Sequence, residues 1–281
     1  MTVVTFGGFT FDDQAVSGFT LADMSGWYRG APSRRGDTIR KRPQNDGAFG
    51  SARFFRDGRV ITVEGSYIGS SIADAYAARD RLESLQADGL SSEFAVTDEL
   101  GTRSCMVELL TEPTPDEGLF SPFFKFAFDV FAADARKYGP ELVASSGLPA
   151  SGTGITYPIT YPITYGTAGD PGRVTVSNSG RQESFSLFEV AGGLDAGFEL
   201  KEIASGRRLR FERLIPLGST VFLNPRTGRA YLDVPDNDVT GFLTVREWWS
   251  VPAGVSQEIQ FSTWGGVSGV PSLTARTRPA F

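Results

Sequence analysis

Residues Phe123–Phe131 read FFKFAFDVF, in which apolar side chains recur at every second position. Alternation with a period of two is typical of a β-strand that buries one face. The buried face of this strand would carry four apolar side chains: Phe124, Phe126, Phe128 and Val130. Lys125 and Asp129 would share the opposite face with Phe123 and Phe131. We therefore expect a helix or a neighbouring subunit to cover part of that second face.

Two further elements precede this strand. Arg59–Gly65, RVITVEG, is predicted to be a strand. Ser71 and Asp74 then form a variant of the capping box, with Asp in place of Glu. Apolar residues follow at helical spacing: Ile72, Ala75, Tyr76, Leu82 and Leu85. Asp88-Gly89 is predicted to end this helix, and its single apolar stripe predicts that it lies on a sheet.

The other elements of the first half are short strands and one long loop. Val3–Phe11 is predicted to be a strand interrupted by two glycines. Glu93–Thr97 and Arg103–Leu110 flank a turn at 98–101, which indicates a hairpin. Residues 29–58 are charged and rich in Gly and Pro, so they are predicted to form a loop.

The composition changes after the first half. Ala144–Gly154 is uncharged and rich in Gly, Ser and Pro, which is typical of a linker. From Arg173 onward, short strands and turns alternate about every 8–12 residues, as in a β-sandwich or jelly roll. The predicted strands are Arg173–Ser177, Ser184–Val190, Phe198–Ile203, Arg207–Arg213, Thr220–Leu223, Ala230–Val234, Phe242–Trp248, Glu258–Ser262 and Ser272–Thr277. We expect a first domain over 1–143, a linker over 144–156 and a second domain over 157–281.

The absent residue types restrict the chemistry. The chain contains no histidine, which is the usual general base at neutral pH and the commonest metal ligand. It contains one cysteine, Cys105, so no intrachain disulfide can form, and catalytic triads that need histidine are excluded. Cys105 lies in an alternating stretch and is predicted to be a buried structural thiol. We expect no catalytic residues, no metal and no cofactor, and therefore no enzyme activity.

The charge is acidic and unevenly distributed. The net charge is −6, with 15 basic and 20 acidic residues in 1–140 against 12 and 13 in 141–281. This surface does not suit the wrapping of DNA, which needs clustered Lys and Arg, but it suits a channel through which a polyanion passes. No apolar run approaches the ~20 residues of a membrane span. The first residues do not form a secretory signal, so we expect synthesis in the cytoplasm and no membrane partner.

Two motifs allow both a functional and a simpler interpretation. The basic cluster Arg34–Arg42 could contact a polyanion or an acidic neighbour, but a solvated loop or a protein–protein contact is favoured. The tripeptide Arg35-Gly36-Asp37 within it is given no weight. Asp236–Glu247 nearly fits the calcium loop of an EF-hand, although Thr240 stands where Asp or Asn is needed. A strand is predicted to follow Gly241, so a tight hairpin turn is favoured over a calcium site.

Acidic and aromatic pairs raise two further possibilities. A glycosidase needs two carboxylates ~5–10 Å apart, and Glu199 with Glu202 or Asp12 with Asp13 would be candidates. An acidic composition also produces such pairs by chance. The tryptophans near the end of the chain could stack on sugar rings or fill a core; they are Trp248, Trp249 and Trp264. At least one of the adjacent pair should be buried, because neighbours in a strand point to opposite faces.

Three stretches resemble the distal tail proteins of long, non-contractile-tailed bacteriophages. The first is Arg59–Leu85, a strand followed by an amphipathic helix. The second is Phe126–Tyr138, a strand that runs into an Asp-x-x-basic-Tyr ending, with Ala135 where the family often has Pro. The third is an order of motifs in the second half: Tyr157-Pro158, Tyr161-Pro162, Asn178-Ser179-Gly180 and Trp249-Ser250-Val251-Pro252-Ala253-Gly254. Together these stretches span most of the chain.

The resemblance implies a mostly β protein without catalytic residues. Its N-terminal domain would be a β-sandwich-like ring domain with one helix, and its C-terminal domain would be a galectin-like β-sandwich that projects outward. Six copies would form a ring in the virion tail tip, after assembly in the host cytoplasm, with a hairpin or belt contributed by 29–58. The ring would join the tail tube protein to the tail-tip hub and to receptor-binding proteins, and DNA would cross its lumen.

Two other function classes remain open at this point. A galectin-like sandwich with exposed tryptophans could be a carbohydrate-binding module for adhesion to the host surface, although galectin sugar sites typically use histidine. A glycoside hydrolase acting on cell-wall polymer is the other alternative, and it would need a pair of facing carboxylates.

Overall fold

The computed structural model describes residues 1–30, 40–49, 56–115, 121–152, 161 and 168–281. The chain divides into two compact units, Met1–Gly139 and Pro140–Phe281. The prediction of a mostly β protein is confirmed. Among the described residues, no helix has the length and apolar character needed to cross a lipid bilayer.

The first unit is one closed sheet with a single α-helix among its described residues. Its strands are β1 (Val3–Phe6), β2 (Phe9–Asp12), β3 (Gly18–Ser25), β4 (Arg59–Ile68), β5 (Ser92–Asp98), β6 (Gly101–Pro115) and β7 (Phe123–Ala132), and its helix is α1 (Ile72–Glu83). They pair in the order β1-β2-β3-β4-β7-β6-β5, and β5 returns to β1 to close a barrel. The two packed layers expected of a sandwich-like domain are thus made by one continuous sheet.

The longest uninterrupted pairing of the barrel joins β4 to β7. It is antiparallel and runs without a bulge from Arg59 opposite Ala132 to Ile68 opposite Phe123. The predicted alternation of β7 is confirmed, since every second side chain from Phe124 to Val130 is buried. This register directs one face of both strands into the barrel and the other face outward.

Aromatic rings fill the barrel. Phe128 lies 5.9 Å from Phe6 and 5.7 Å from Phe11 between ring centroids, and Phe126 lies 5.3 Å from Phe11. Gly65 of β4 makes room for this packing, because a Cβ there would stand 2.3 Å from the backbone oxygen of Thr20 and 2.4 Å from the Phe126 ring. The glycine that seemed from the sequence to end this strand therefore lies inside it, against a ring of the core.

Helix α1 begins where the sequence predicted. The Ser71 hydroxyl accepts a hydrogen bond from the Asp74 backbone N–H at 3.2 Å. The Asp74 carboxylate accepts from the backbone N–H of Ser70 at 2.9 Å, one residue before the partner that a standard capping box would use. The backbone bond from Ser70 is the main cause that holds the pKa of Asp74 below its ordinary value, and side-chain bonds from Ser70 and Tyr67 lower it further.

The predicted end and apolar face of α1 are partly wrong. The helix ends at Glu83, five residues before Asp88, because Gln86 adopts a left-handed backbone with φ of 51°. The Gln86 side chain bonds to β6, donating to the Val107 oxygen at 3.1 Å and accepting from the Leu109 N–H at 2.6 Å. The buried helix residues are Ala75, Ala78 and Leu82. Of the other residues predicted to form the apolar stripe of α1, Leu85 is buried, whereas Ile72 and Tyr76 are exposed.

The second unit is a β-sandwich. Its strands are β8 (Leu142–Gly147), β9 (Arg173–Asn178), β10 (Leu187–Ala191), β11 (Phe198–Glu202), β12 (Arg208–Phe211), β13 (Thr220–Asn224), β14 (Arg229–Leu232), β15 (Leu243–Arg246), β16 (Val255–Ser262) and β17 (Ser272–Thr277). One sheet has the order β14-β13-β10-β17-β8 and the other the order β15-β12-β11-β16-β9. All nine strands predicted from the sequence are present, with ends shifted by a few residues.

The tenth strand, β8, corrects the predicted linker. Leu142–Gly147 pairs with Ser272–Thr277 along its whole length, so the first residues of the predicted linker 144–156 belong to a sheet of the second unit. The contacts divide the chain at Gly139–Pro140 instead. The small, polar side chains that resembled a linker are tolerated because β8 is an edge strand. Residues 153–156 lie outside the described part of the chain.

A buried asparagine holds three segments of the second unit together. The Asn178 side-chain amide donates to the backbone oxygens of Gln182, Val251 and Pro252 at 2.7–3.2 Å. Its oxygen accepts from the N–H groups of Gly180 and Ala280 at 3.0 and 3.2 Å. Only 1% of the residue is exposed, so water cannot replace these bonds.

Replacing Asn178 by Ala should lower the free energy of unfolding of the second unit by ~2–4 kcal/mol, because five hydrogen bonds to the backbone are lost and the buried N–H groups of Gly180 and Ala280 lose their acceptor. Urea denaturation followed by tryptophan fluorescence measures this loss. Asn237→Ala, on an exposed turn, is the matched control and should change stability by less than about 0.5 kcal/mol. Equal losses in both variants would contradict the role given to Asn178.

Candidate functional site

Cys105 is a buried thiol, as predicted. It lies on the inner face of β6, opposite Phe94 of β5, and is 4% exposed. Burial raises the pKa of the Cys105 thiol to about 12, so the group is neutral throughout the physiological range. Because a thiol must be ionised to act as a nucleophile, this side chain serves packing.

The carboxylate pairs found in the sequence do not face each other. On β11, Glu199 points outward and Glu202 points into the sandwich, since residues three apart in a strand lie on opposite faces. Glu202 accepts hydrogen bonds from the backbone N–H groups of Ala204 and Ser205. Burial by itself would raise the pKa of Glu202, but these bonds outweigh it and lower the pKa. Glu202 therefore stabilises the turn after β11.

The pair Asp12 and Asp13 is engaged in the same way. The Asp12 carboxylate accepts from the backbone N–H of Gln14 at 2.9 Å, and Asp13 accepts from that of Thr2 at 2.8 Å. The first is a local bond in the turn after β2, and the second joins the two ends of the antiparallel β1–β2 pair. Two carboxylates flanking a cleft, which glycoside hydrolysis requires, are not found at either predicted pair.

The stretch that resembles an EF-hand begins with a tight turn, as favoured from the sequence, and the strand that follows it, β15, belongs to the other sheet. The Leu232 N–H donates to the Asn237 oxygen at 2.9 Å, and Asp233 has a left-handed φ of 60°. Glu247, the twelfth residue of the motif, accepts from the backbone N–H of Arg208 at 2.8 Å. Within the described ranges, no three or more His, Cys, Asp or Glu side chains form a group that could hold a metal ion.

Arg59 is a buried cation that the sequence did not reveal. Its guanidinium donates to the backbone oxygens of Gly26, Trp27, Arg29 and Ala135 at 2.5–3.3 Å. Burial lowers the pKa of Arg59. The side chain ties the segment after β3 to the segment after β7, and its only sequence signal was a charge at the start of an apolar strand.

Lys137 lies near Arg59 and contacts the segment that follows β3. Its ammonium is 4.8 Å from the centre of the Trp27 ring and 5.8 Å from that of Tyr28. Burial is the main cause that lowers the pKa of Lys137 to about 8, and the nearby Arg59 and Arg103 lower it further. The contact with two aromatic faces partly offsets the loss of hydration.

The tryptophans of the second unit have different environments. Trp249 is buried against Phe188, with 5.6 Å between ring centroids, which confirms the expectation for the adjacent pair. Trp264 is 40% exposed, and the Arg210 guanidinium lies 4.3 Å from its ring centre. Glu199 stands beside Arg210 at 3.8 Å. Trp264 is thus part of a charged, solvent-facing cluster on β11 and β12.

The basic cluster lies partly outside the described residues. Arg34 and Arg35, and with them the Arg35-Gly36-Asp37 tripeptide, belong to 31–39, which is not described. Arg40, Lys41 and Arg42 are exposed, and the backbone of Lys41 pairs with that of Ala48. This small pairing lies inside the region 29–58 that was expected to contribute a hairpin or belt.

The outer face of the barrel carries polar and apolar side chains in separate zones. Across β4, β7 and β6, the central row is polar, because Asp129 accepts from the hydroxyls of Thr62 and Thr111 at 2.6 and 2.8 Å. Next to this row, an open groove of about 670 Å³ is lined by residues that include Glu64 and Lys125. Apolar side chains lie toward both ends of the same face.

The Cys105 thiol should make stability depend on pH in alkaline solution. In the unfolded chain it ionises near its ordinary pKa of 9.0, whereas the folded chain keeps it neutral up to about 12. The free energy of unfolding should therefore fall between pH 9 and 12, by at most ~1.4 kcal/mol per pH unit. Subtracting the profile of Cys105→Ala removes the lysine and tyrosine contributions that both proteins share. A difference that stays constant from pH 9 to 11 would refute the raised pKa.

The whole chain superimposes on solved bacteriophage proteins. It is similar to the Dit protein of phage SPP1, described as a paradigm of the hub adsorption apparatus of phages that infect Gram-positive bacteria. The TM-score is 0.66 at 14% identity, over 100% of this chain and 99% of that one. It is also similar to a chain of the phage P2 baseplate in its activated conformation with Ca, with a TM-score of 0.57 at 11% identity, over 99% of this chain and 98% of that one.

The same P2 baseplate with Sr gives a TM-score of 0.56 at 12% identity, over 99% of this chain and 97% of that one. No protein-family model and no curated protein sequence matches the chain. The likeness therefore rests on structure, and it includes both units and their order. The fold is that shared by SPP1 Dit and the matched chain of the P2 baseplate.

Proposed function

We propose that this protein is a structural component of a phage tail tip, where copies of the chain close into a ring between the tail tube and the tail-tip hub. The observation that carries the proposal is the end-to-end likeness to SPP1 Dit, in which both units correspond. A similarity limited to one β-sandwich would be weaker support, because that architecture serves many functions.

The side chains of the chain agree with an architectural role. Asp12 and Glu202 bond to turns, Asp13 and Glu247 bond to the backbone of neighbouring segments, and Cys105 is buried in the core. The acid excess of the first half suits a lumen through which DNA passes without being held. In this proposal the first unit forms the ring, and the second is a galectin-like sandwich that projects outward toward hub or receptor-binding proteins.

The proposal predicts a closed homo-oligomer, most simply of six copies. Native mass spectrometry of the purified protein should then show a species of six times the 30.3 kDa of one chain, and negative-stain images should show a ring with a central hole. A chain that stays monomeric at every concentration, both alone and mixed with its tail-tube and hub partners, would contradict the proposal.

A carbohydrate-binding role for the second unit is a second candidate, and the exposure of Trp264 favours it. One face of its indole ring is covered by Arg210, while the side chain remains 40% exposed. An exposed aromatic ring can stack on the apolar face of a sugar, and Glu199 with Arg208 could bond to its hydroxyls. This role would serve adhesion to the host surface.

Trp264→Ala tests this second role on a glycan array. If the role is correct, the wild-type protein binds particular glycans and the variant binds them at least about tenfold more weakly, since stacking and burial of an aromatic ring are lost. Val270→Ala, at a fully exposed apolar position of the same unit, should leave binding unchanged. Absence of wild-type binding to any glycan would remove this candidate.

A further inference from the structure

Apolar side chains cluster at one end of the outer face of β4 and β7. Ile68 and Phe123 are register partners there, and the Gly69 N–H joins the strands beyond them by donating to the Pro122 oxygen at 2.8 Å. Helix α1 begins next to this end and exposes Ile72. Lys125 follows two residues along β7 on the same face and is exposed. We name this surface the basic patch, defined by Ile68, Phe123 and Lys125.

A second apolar cluster lies at the other end of the same face. Val60 of β4 stands in the row that continues through Phe131 to Glu108 of β6. Met106 and Leu110 lie on either side of Glu108 along β6, and all three point outward. We name this surface the acidic patch, defined by Val60, Met106, Glu108 and Leu110.

Both patches expose large apolar side chains, which range from 38% exposed at Ile68 to 59% exposed at Leu110. Val60 and Ile68 are eight residues apart on one strand, which corresponds to ~26 Å. The polar row of Thr62, Asp129 and Thr111 separates them. One molecule therefore carries two separate surfaces of similar apolar character.

The charges decide how two copies can combine. Two basic patches would bring lysines together and two acidic patches would bring glutamates together, so a symmetric contact of either kind is disfavoured. Contact of a basic patch with an acidic patch buries apolar side chains on both sides and sets Lys125 near Glu108. Such a contact is head-to-tail, and a head-to-tail contact that closes produces a ring.

We propose that the basic patch of one copy binds the acidic patch of the next copy, and that this contact holds the first units together in the assembly. The inference rests on the proposed ring and specifies which surfaces build it. It assigns a use to outward-facing apolar side chains of β4, β6 and β7 that the barrel core does not need.

Charge reversal tests the contact. Lys125→Glu and Glu108→Lys should each weaken assembly at least about tenfold at low salt, as measured by analytical ultracentrifugation, because each places like charges across the interface. Both side chains are exposed, so circular dichroism and the melting temperature should remain those of the wild type. Lys201→Glu and Glu99→Lys are matched reversals at exposed positions outside both patches, and they should leave assembly unchanged.

Rescue separates a direct contact from general damage. The double variant K125E/E108K should assemble to within about threefold of the wild type, since its patches again carry opposite charges. An equimolar mixture of the two single variants should also assemble, with the two chains alternating, because every contact then joins unlike charges. Single variants that assemble normally, or a mixture that fails to recover, would overturn the inference.

The same experiment distinguishes this inference from the proposed ring. If the wild-type protein forms rings and both reversals form the same rings, the patches are not the interface but the proposed function stands. If the wild-type protein does not assemble alone or with its tail-tube and hub partners, both proposals fail.

Discussion

The pairing of β4 with β7 determines which side chains of these strands are buried in the barrel and which face outward. Ten consecutive residue pairs, from Arg59 with Ala132 to Ile68 with Phe123, keep one register without a bulge. A slip of one residue would turn Phe126 and Phe128 outward and bring Lys125 and Asp129 into the core. The aromatic core thus enforces the register, and the register in turn places the outward side chains in two separated patches.

Two buried polar side chains, Arg59 and Asn178, hold segments of the backbone together by hydrogen bonds. Arg59 binds four backbone oxygens in the first unit, and Asn178 binds five backbone groups in the second. Both connect segments that are distant in sequence, so they fix loops at the ends of the sheets. The proposed assembly needs such fixed ends, because contacts between neighbouring copies would depend on where these loops lie.

The alternation and turn patterns predicted the fold class and most of the secondary structure, but not strands β3 and β8. Nine of the ten strands of the second unit and the start of α1 were predicted, because period-two burial and helix caps are local properties of the chain. The end of α1 was not, since the left-handed turn at Gln86 is stabilised by bonds to β6, which is distant in sequence. Edge strand β8 was missed because its small polar residues resemble a linker and only its pairing with β17 reveals it.

The sequence by itself determined the inventory of this protein: many short strands, one helix, no histidine, a single cysteine and an acidic first half. These facts restrict its chemistry because they depend on residue types alone. Only the tertiary structure decided that the first unit closes into a barrel, that Glu199 and Glu202 face opposite ways, and that Ile68 and Phe123 meet beside Lys125. Those outcomes depend on strand order and register, which arise from packing between residues far apart in the chain and leave no local pattern.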